Sequence, residues 1–236
     1  MNPVLVRGAA AEFLGTCLLV AAVVGSGVMA SRLSPNDVGL QLLQNSLATG
    51  AALAALILAL QPVSASFNPV VTLVERALGM IDTRAAALLV AAQVLGGLAG
   101  TVAANLMFDL APVTLSTHER SGPGLWLAEV IATAGLLVIV FGTIRSGRAD
   151  RVAFAVGGYI TAAYWFTSST SFANPAVTIA RTITDTFAGI APASAPGFIA
   201  AQLVGGALGL VLVRFLYPQT TDVAAADAAD DRKVHS

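Results

Sequence analysis

Charged residues are scarce in this chain. Asp, Glu, Lys and Arg together make up 11% of its 236 residues, less than half of the roughly 25% usual in soluble domains. A soluble globular domain is therefore excluded. The formal net charge is −1, without the basic excess that nucleic-acid binding needs, so no nucleic-acid partner is expected. Cysteine is nearly absent. Cys17 stands alone in an apolar segment, which rules out an internal disulfide and says nothing of redox compartment; it reads as a small core residue. Also missing are a nucleotide-binding loop, a metal-ligand cluster, and a nucleophile beside its base. No catalytic residue, metal or cofactor is expected, and the chain is read as not an enzyme.

What the chain has instead is apolar length. It is 56% hydrophobic with a mean hydropathy of +0.81. Apolar segments run over 9–30, 38–61, 84–108, 125–144, 151–168 and 195–217, and a bilayer crossing needs about 20 residues. This predicts an all-α membrane protein with six transmembrane helices in a single transmembrane domain, 1–218. The first segment is read as a retained span. It contains Glu12 and continues to about Ala30, longer than the 7–15 apolar residues of a signal peptide. Breaks such as Ser121-Gly122-Pro123-Gly124 and Arg145-Ser146-Gly147-Arg148 are loops at the membrane surface. The tail 219–236 carries Asp among small residues and is expected to be disordered and cytoplasmic.

Two intervals between the long segments hold Asn-Pro triads, Asn68-Pro69-Val70 and Asn174-Pro175-Ala176. Pro suits the first turn of a helix, where its missing N–H would be unpaired anyway. The apolar stretch after each is too short to cross a bilayer: ten helical residues rise about 15 Å, half of a hydrocarbon core about 30 Å thick. Other features recur in the same order. Glu12-x-x-x-Thr16 answers Glu129-x-x-x-Thr133, and Gln93-x-x-Gly96-Gly97-x-x-Gly100 answers Gln202-x-x-Gly205-Gly206-x-x-Gly209, at offsets of 106 to 117 residues. Each half holds an odd number of spans, so the repeats, about 8–108 and 125–217, must be inverted. Basic residues set the orientation. Nine of them (Arg7, Arg76, Arg84, Arg145, Arg148, Arg151, Arg214, Arg232 and Lys233) share the side of the termini, against Arg32, Arg120 and Arg181 opposite. By the positive-inside rule the termini are cytoplasmic, in the inner or plasma membrane.

Two half-helices entering from opposite faces would meet near the midplane. Irregular backbone at that depth is tolerated only when buried in protein or lining a watery cavity. The runs Gln61–Ser66 and Phe166–Ser171 would then line a path. Each half-helix N-terminus carries roughly +0.5 of an elementary charge, which repels cations, while the Asn68 and Asn174 amides can donate to a passing oxygen. Such a path suits neutral, hydroxyl-bearing solutes.

With these motifs the chain resembles the major intrinsic protein family, the aquaporins and aquaglyceroporins, over about residues 5–217. The resemblance implies six spans with two half-helices, a homotetramer with one pore per subunit, and passive flow. It places Asn68, Pro69, Val70, Asn174, Pro175 and Ala176 at the pore centre. The first triad departs from the family's Asn-Pro-Ala at Val70, a steric change beside the constriction. The Arg that usually follows the second triad, and walls the outer filter, is replaced by Val177. Arg181 comes one helical turn further on, and is not expected to replace it. The remaining filter positions, carried over by spacing, fall on Ala48 or Thr49, on Ala162 and on Ser171. All are small, which implies a wide filter passing glycerol, urea or undissociated metalloid acids such as arsenite, and water too. The run Ala163-Tyr164-Trp165-Phe166-Thr167 with Val177 further resembles a bacterial subgroup associated with arsenical efflux. An ordinary water channel is the alternative.

Other residues have plainer readings. Glu12 and Glu129, with Gln93 and Gln202, are expected to support the half-helices, since buried backbone donors need acceptors; a proton relay is the rival reading. The glycine runs read as close helix-packing sites. Trp126, Trp165 and Tyr217 read as interfacial anchors, and Tyr164 or Phe166 could flank a pore mouth instead. His118 reads as a solvated loop residue. A proton-coupled transporter or a sealed structural member are the competing functions.

Overall fold

The computed structural model describes residues 2–218, so the tail 219–236 lies outside it. Eight α-helices follow one another: α1 Pro3–Leu33, α2 Val38–Leu60, α3 Pro69–Ala77, α4 Thr83–Met107, α5 Pro123–Arg145, α6 Val152–Phe166, α7 Pro175–Ala180 and α8 Ala195–Leu216. No strand occurs among the described residues. Local chemistry sets the starts. Pro3, Pro69, Pro123 and Pro175 occupy the first helical position, where φ near −65° is already helical. Asp37 and Asp82 cap α2 and α4 by accepting the Leu40 and Ala85 amides at 2.9 and 2.7 Å.

Five helices, α1, α2, α4, α5 and α8, have the length and apolarity of a membrane crossing. The sixth, α6, is shorter than its apolar segment. It has 15 residues, extended at its start by a 3-10 turn, Ala149–Arg151, and ends where Thr167 turns extended. There the Thr167 hydroxyl donates back to Ala163 O at 2.6 Å, closing the last turn with a side chain. The half-helices are α3, with nine residues, and α7, with six followed by a 3-10 turn, Arg181–Ile183. Both are shorter than the ten residues expected, the second more so.

Packing repeats between the halves. α1 lies on α4 and α2, as α5 lies on α8 and α6, while α2 meets α6 and α3 meets α7 across the pseudo-twofold. The two strongest contacts are glycine-mediated. A Cβ at Gly96 or Gly100 would run into the backbone of Phe13 or Cys17, and one at Gly205 would sit 2.6 Å from Val130 O. The outer surface is a belt of exposed apolar side chains, among them Leu18, Leu47, Leu95, Leu127, Val211 and Phe215. A patch of that size suits lipid or a neighbouring subunit rather than water.

Candidate functional site

The two half-helices meet head to head around the Asn-Pro triads. Asn68 and Asn174 are their N-caps. Asn68 Oδ1 accepts the Val70 amide at 3.0 Å, and Asn174 Oδ1 accepts those of Ala176 and Val177 at 3.0 and 3.2 Å. The residue before each Asn is left-handed, Phe67 at φ 47° and Ala173 at φ 49°. Such conformations cost about 1–3 kcal/mol each and persist only where surroundings enforce them.

Two buried carboxylates do the enforcing. Glu12 and Glu129 are fully buried. Glu12 accepts the amides of Ser66 and Phe67 at 2.8 and 2.7 Å, the Ser64 hydroxyl at 2.5 Å and Gln93 Nε2 at 2.7 Å. Glu129 accepts the amides of Phe172 and Ala173 at 2.9 and 2.8 Å and Gln202 Nε2 at 2.6 Å. The same glutamine nitrogens reach the half-helices themselves, Gln93 to Thr72 Oγ1 at 2.8 Å and Gln202 to Thr178 Oγ1 at 2.9 Å. Each carboxylate thus ties an irregular approach strand to its half-helix through a span of the same half.

A cavity of about 580 Å³ runs past this junction, from Ala149 and Asp150 on the side of the termini to Tyr164 and Arg181 opposite. Asn68 and Asn174 both line it, with Thr49, Ser171 and Val177 on the Arg181 side. Ser171 Oγ is buried and has no hydrogen-bond partner among the described residues. The Tyr164 hydroxyl donates to Thr49 Oγ1 at 3.2 Å. Gln61 and the run Ser64–Phe67 line the opposite half.

Several assignments made by spacing change. Val70 is not on the cavity wall. It packs with Leu137, Phe141 and Val213, and its Cγ1 fills the space that a Cβ on Gly206 would need, 2.6 Å away. The larger residue in the first triad is therefore accommodated by a glycine of α8, not at the constriction. Pro69, Pro175 and Ala176 are likewise buried away from the lining. Thr49, not Ala48, faces the cavity, in an i, i+4 ladder with Leu53 and Ile57. Ala162 is exposed on the outside of α6. The cavity ladder of that helix is Val152, Val156, Ile160 and Tyr164, so Tyr164 stands where Ala162 was expected.

Arg181 is a cationic group on the wall. It is buried and reaches the cavity wall. Its guanidinium carbon lies 3.5 Å from the ring centroid of Phe172, and its Nε donates to Ala188 O. On the other side Glu75, absent from the sequence-based set, lines the cavity beside Ser66. It lies on α3, outside the long apolar segments. His118 sits in an exposed loop 3.9 Å from Asp185, whose carboxyl is held below its ordinary range by the Thr117 amide and hydroxyl. The Trp165 indole bonds Ser46 Oγ at 3.1 Å.

The profile of the Major intrinsic protein family matches residues 2–163 and again 126–235. The chain belongs to that family. It is a multi-pass membrane channel protein of the aquaporin fold. It is similar to aquaglyceroporin AqpS of Rhizobium meliloti (strain 1021), at 52% identity over 213 residues, covering 90% of this chain and 91% of that one. It also resembles aquaporin A of Dictyostelium discoideum, at 34% identity over 166 residues, 64% of this chain and 58% of the other. Among solved structures, the aquaglyceroporin from Plasmodium falciparum superposes with a TM-score of 0.66 at 19% identity, over 92% of this chain and 97% of that one. That likeness supports the fold alone.

Proposed function

We propose that this channel passes small uncharged solutes passively, glycerol, urea and undissociated metalloid acids such as arsenite, with water, and that it is not a specialised water pore. The observation that carries the reading is the cavity wall itself. Asn68 and Asn174 converge on one continuous cavity, with the polar Thr49 and the apolar Val177 also on its wall. A solute hydroxyl replaces the water it loses by bonding to such groups, while its carbon skeleton meets Val177 and Ile160. The name of the 52%-identical relative, an aquaglyceroporin, supports solutes of glycerol size. The likeness to the arsenical-efflux subgroup carries the metalloid acids, family membership carries a homotetramer in the inner or plasma membrane, and the distribution of basic residues carries cytoplasmic termini.

Proton-coupled transport is the competing reading, because Glu75 lines the cavity. Glu12 and Glu129 do not support it. Both are held by buried donors, four on Glu12 and three on Glu129, and lie off the cavity lining. The deciding experiment is a proteoliposome flux panel of water, glycerol, urea and arsenite, with and without an uncoupler, comparing wild type with Val177→Arg. The expected result is uncoupler-insensitive flux of all four, with Val177→Arg losing the larger solutes at least tenfold while retaining water. Equal flux in both proteins removes the filter argument, and uncoupler-sensitive flux removes passivity.

A further inference from the structure

The two half-helices share a register that the Asn-Pro motifs do not require. Glu75 lies seven residues after Asn68, and Arg181 lies seven residues after Asn174. The inverted repeat therefore sets them at equivalent depths on opposite sides of the midplane, each about 10 Å of helical rise from its Asn. Both line the cavity. Both are also fixed in place. Ser66 Oγ donates to Glu75 Oε1 at 2.9 Å, and Arg181 is held by Ala188 O and the face of Phe172. Neither takes part in an ion pair among the described residues. Arg120 approaches the same ring at 5.3 Å, adding to the positive end.

We propose that Glu75 and Arg181 form a split charge guard, with a carboxylate rejecting anions on the side of the termini and a guanidinium rejecting cations on the other. A charge on the wall of a path with low-dielectric sides acts on a passing ion with less screening than in bulk water. The two guards act in series, so an ion of either sign meets a like charge at one of them, whichever way it travels. A neutral solute meets no such barrier. Moving the guanidinium two helical turns out from Asn174, where the cavity wall at position 177 is Val, keeps ion exclusion while leaving the central cross-section free. The inference rests on reading the cavity as a solute pore.

The test is the ratio of ion flux to urea flux in proteoliposomes at pH 8, with potassium and chloride as probes, for wild type, Arg181→Gln and Glu75→Gln. Arg181→Gln is expected to raise the potassium-to-urea ratio at least tenfold with little change for chloride, and Glu75→Gln the converse. Arg181→Lys and Glu75→Asp keep the charge and should stay within about threefold of wild type. If Arg181→Gln does not fold, Arg181→His answers within one folded protein. Its potassium ratio should fall at least fivefold from pH 8 to pH 5.5, where imidazole is protonated, beyond any change in wild type, which shares His118, Asp185, Arg120, Tyr164 and Glu75. Unchanged ratios in both neutral variants, or the same ion leaking through both, overturn the guard while leaving the pore intact. A wild type that passes no neutral solute overturns both.

Discussion

The carboxamides of Asn68 and Asn174 cross-brace the two halves of the channel. Asn68 Nδ2 donates to Ala173 O at 2.8 Å, and Asn174 Nδ2 donates to Phe67 O at 2.7 Å. Each accepting carbonyl belongs to the left-handed residue before the other Asn, so each strained turn is secured from the opposite repeat. The Asn amides therefore hold the junction together as well as facing the cavity. Asn68→Ala removes a helix cap and one brace, together about 2–4 kcal/mol. Asn68→Ala and Asn174→Ala act on one junction, so in a double-mutant cycle they should couple by at least about 0.5 kcal/mol. Reversible unfolding in mixed micelles measures this, and strict additivity would separate the two turns.

Glu12 and Glu129 are placed alike but loaded differently. Glu12 takes four donors and Glu129 three. A Gln in either place turns one acceptor into a donor facing a buried N–H, leaving at least one backbone amide unpaired at a cost of about 1–3 kcal/mol. Glu12→Gln should therefore destabilise more than Glu129→Gln, read as thermal midpoints in detergent. A catalytic proton relay makes a different forecast: normal midpoints with loss of gradient-driven flux.

The glycine pairs give a graded series. A Cβ at Gly100 meets the Cys17 backbone, which cannot move without displacing α1, whereas one at Gly209 meets the Leu137 side chain first, 2.7 Å away. Gly100→Ala should cost about 1–3 kcal/mol or more by overpacking, and Gly209→Ala less, since its nearest contact is 2.7 Å against 2.2 Å and Leu137 Cδ1 can rotate away, although Leu137 Cβ at 2.8 Å cannot. Gly124, with nothing within 4 Å of a new Cβ, is the control. There the substitution should be neutral or slightly stabilising. Equal losses at Gly100 and Gly209 would mean that the helices do not touch as closely as described.

Most of this architecture was legible in the chain because it rests on periodic or paired signals. The Pro residues opening α3 and α7, the matched Glu and Gln pairs and the glycine runs are discrete marks of backbone events, and each repeats. What spacing alone missed depends on which face of a helix a residue occupies. Val70 shares its triad with a cavity-lining Asn, yet turns toward Gly206. Nothing in the sequence marks Glu75, because its charge sits on a half-helix too short to register as a span. Arg181 is four residues beyond Val177, and one extra turn keeps a residue on the same helix face.

The outer filter offers the sharpest separation of sequence count from geometry. Counting back twelve residues from Asn174 reaches Ala162, but the intervening chain is not straight. Thr170 and Ser171 are both left-handed, at φ 59° and 53°, so a count along the chain does not report the face of α6 at its far end. The i, i+4 ladder of that helix carries Tyr164 onto the cavity, where it bonds Thr49, and leaves Ala162 outside. Tyr164→Ala should therefore widen the passage, raising flux of five-carbon polyols relative to glycerol severalfold in proteoliposome swelling. Ala162→Ser should leave that ratio within about twofold of wild type. The converse pattern, a response at position 162 and none at 164, would return the filter to the residue that spacing chose and turn the aromatic ring of Tyr164 into simple packing.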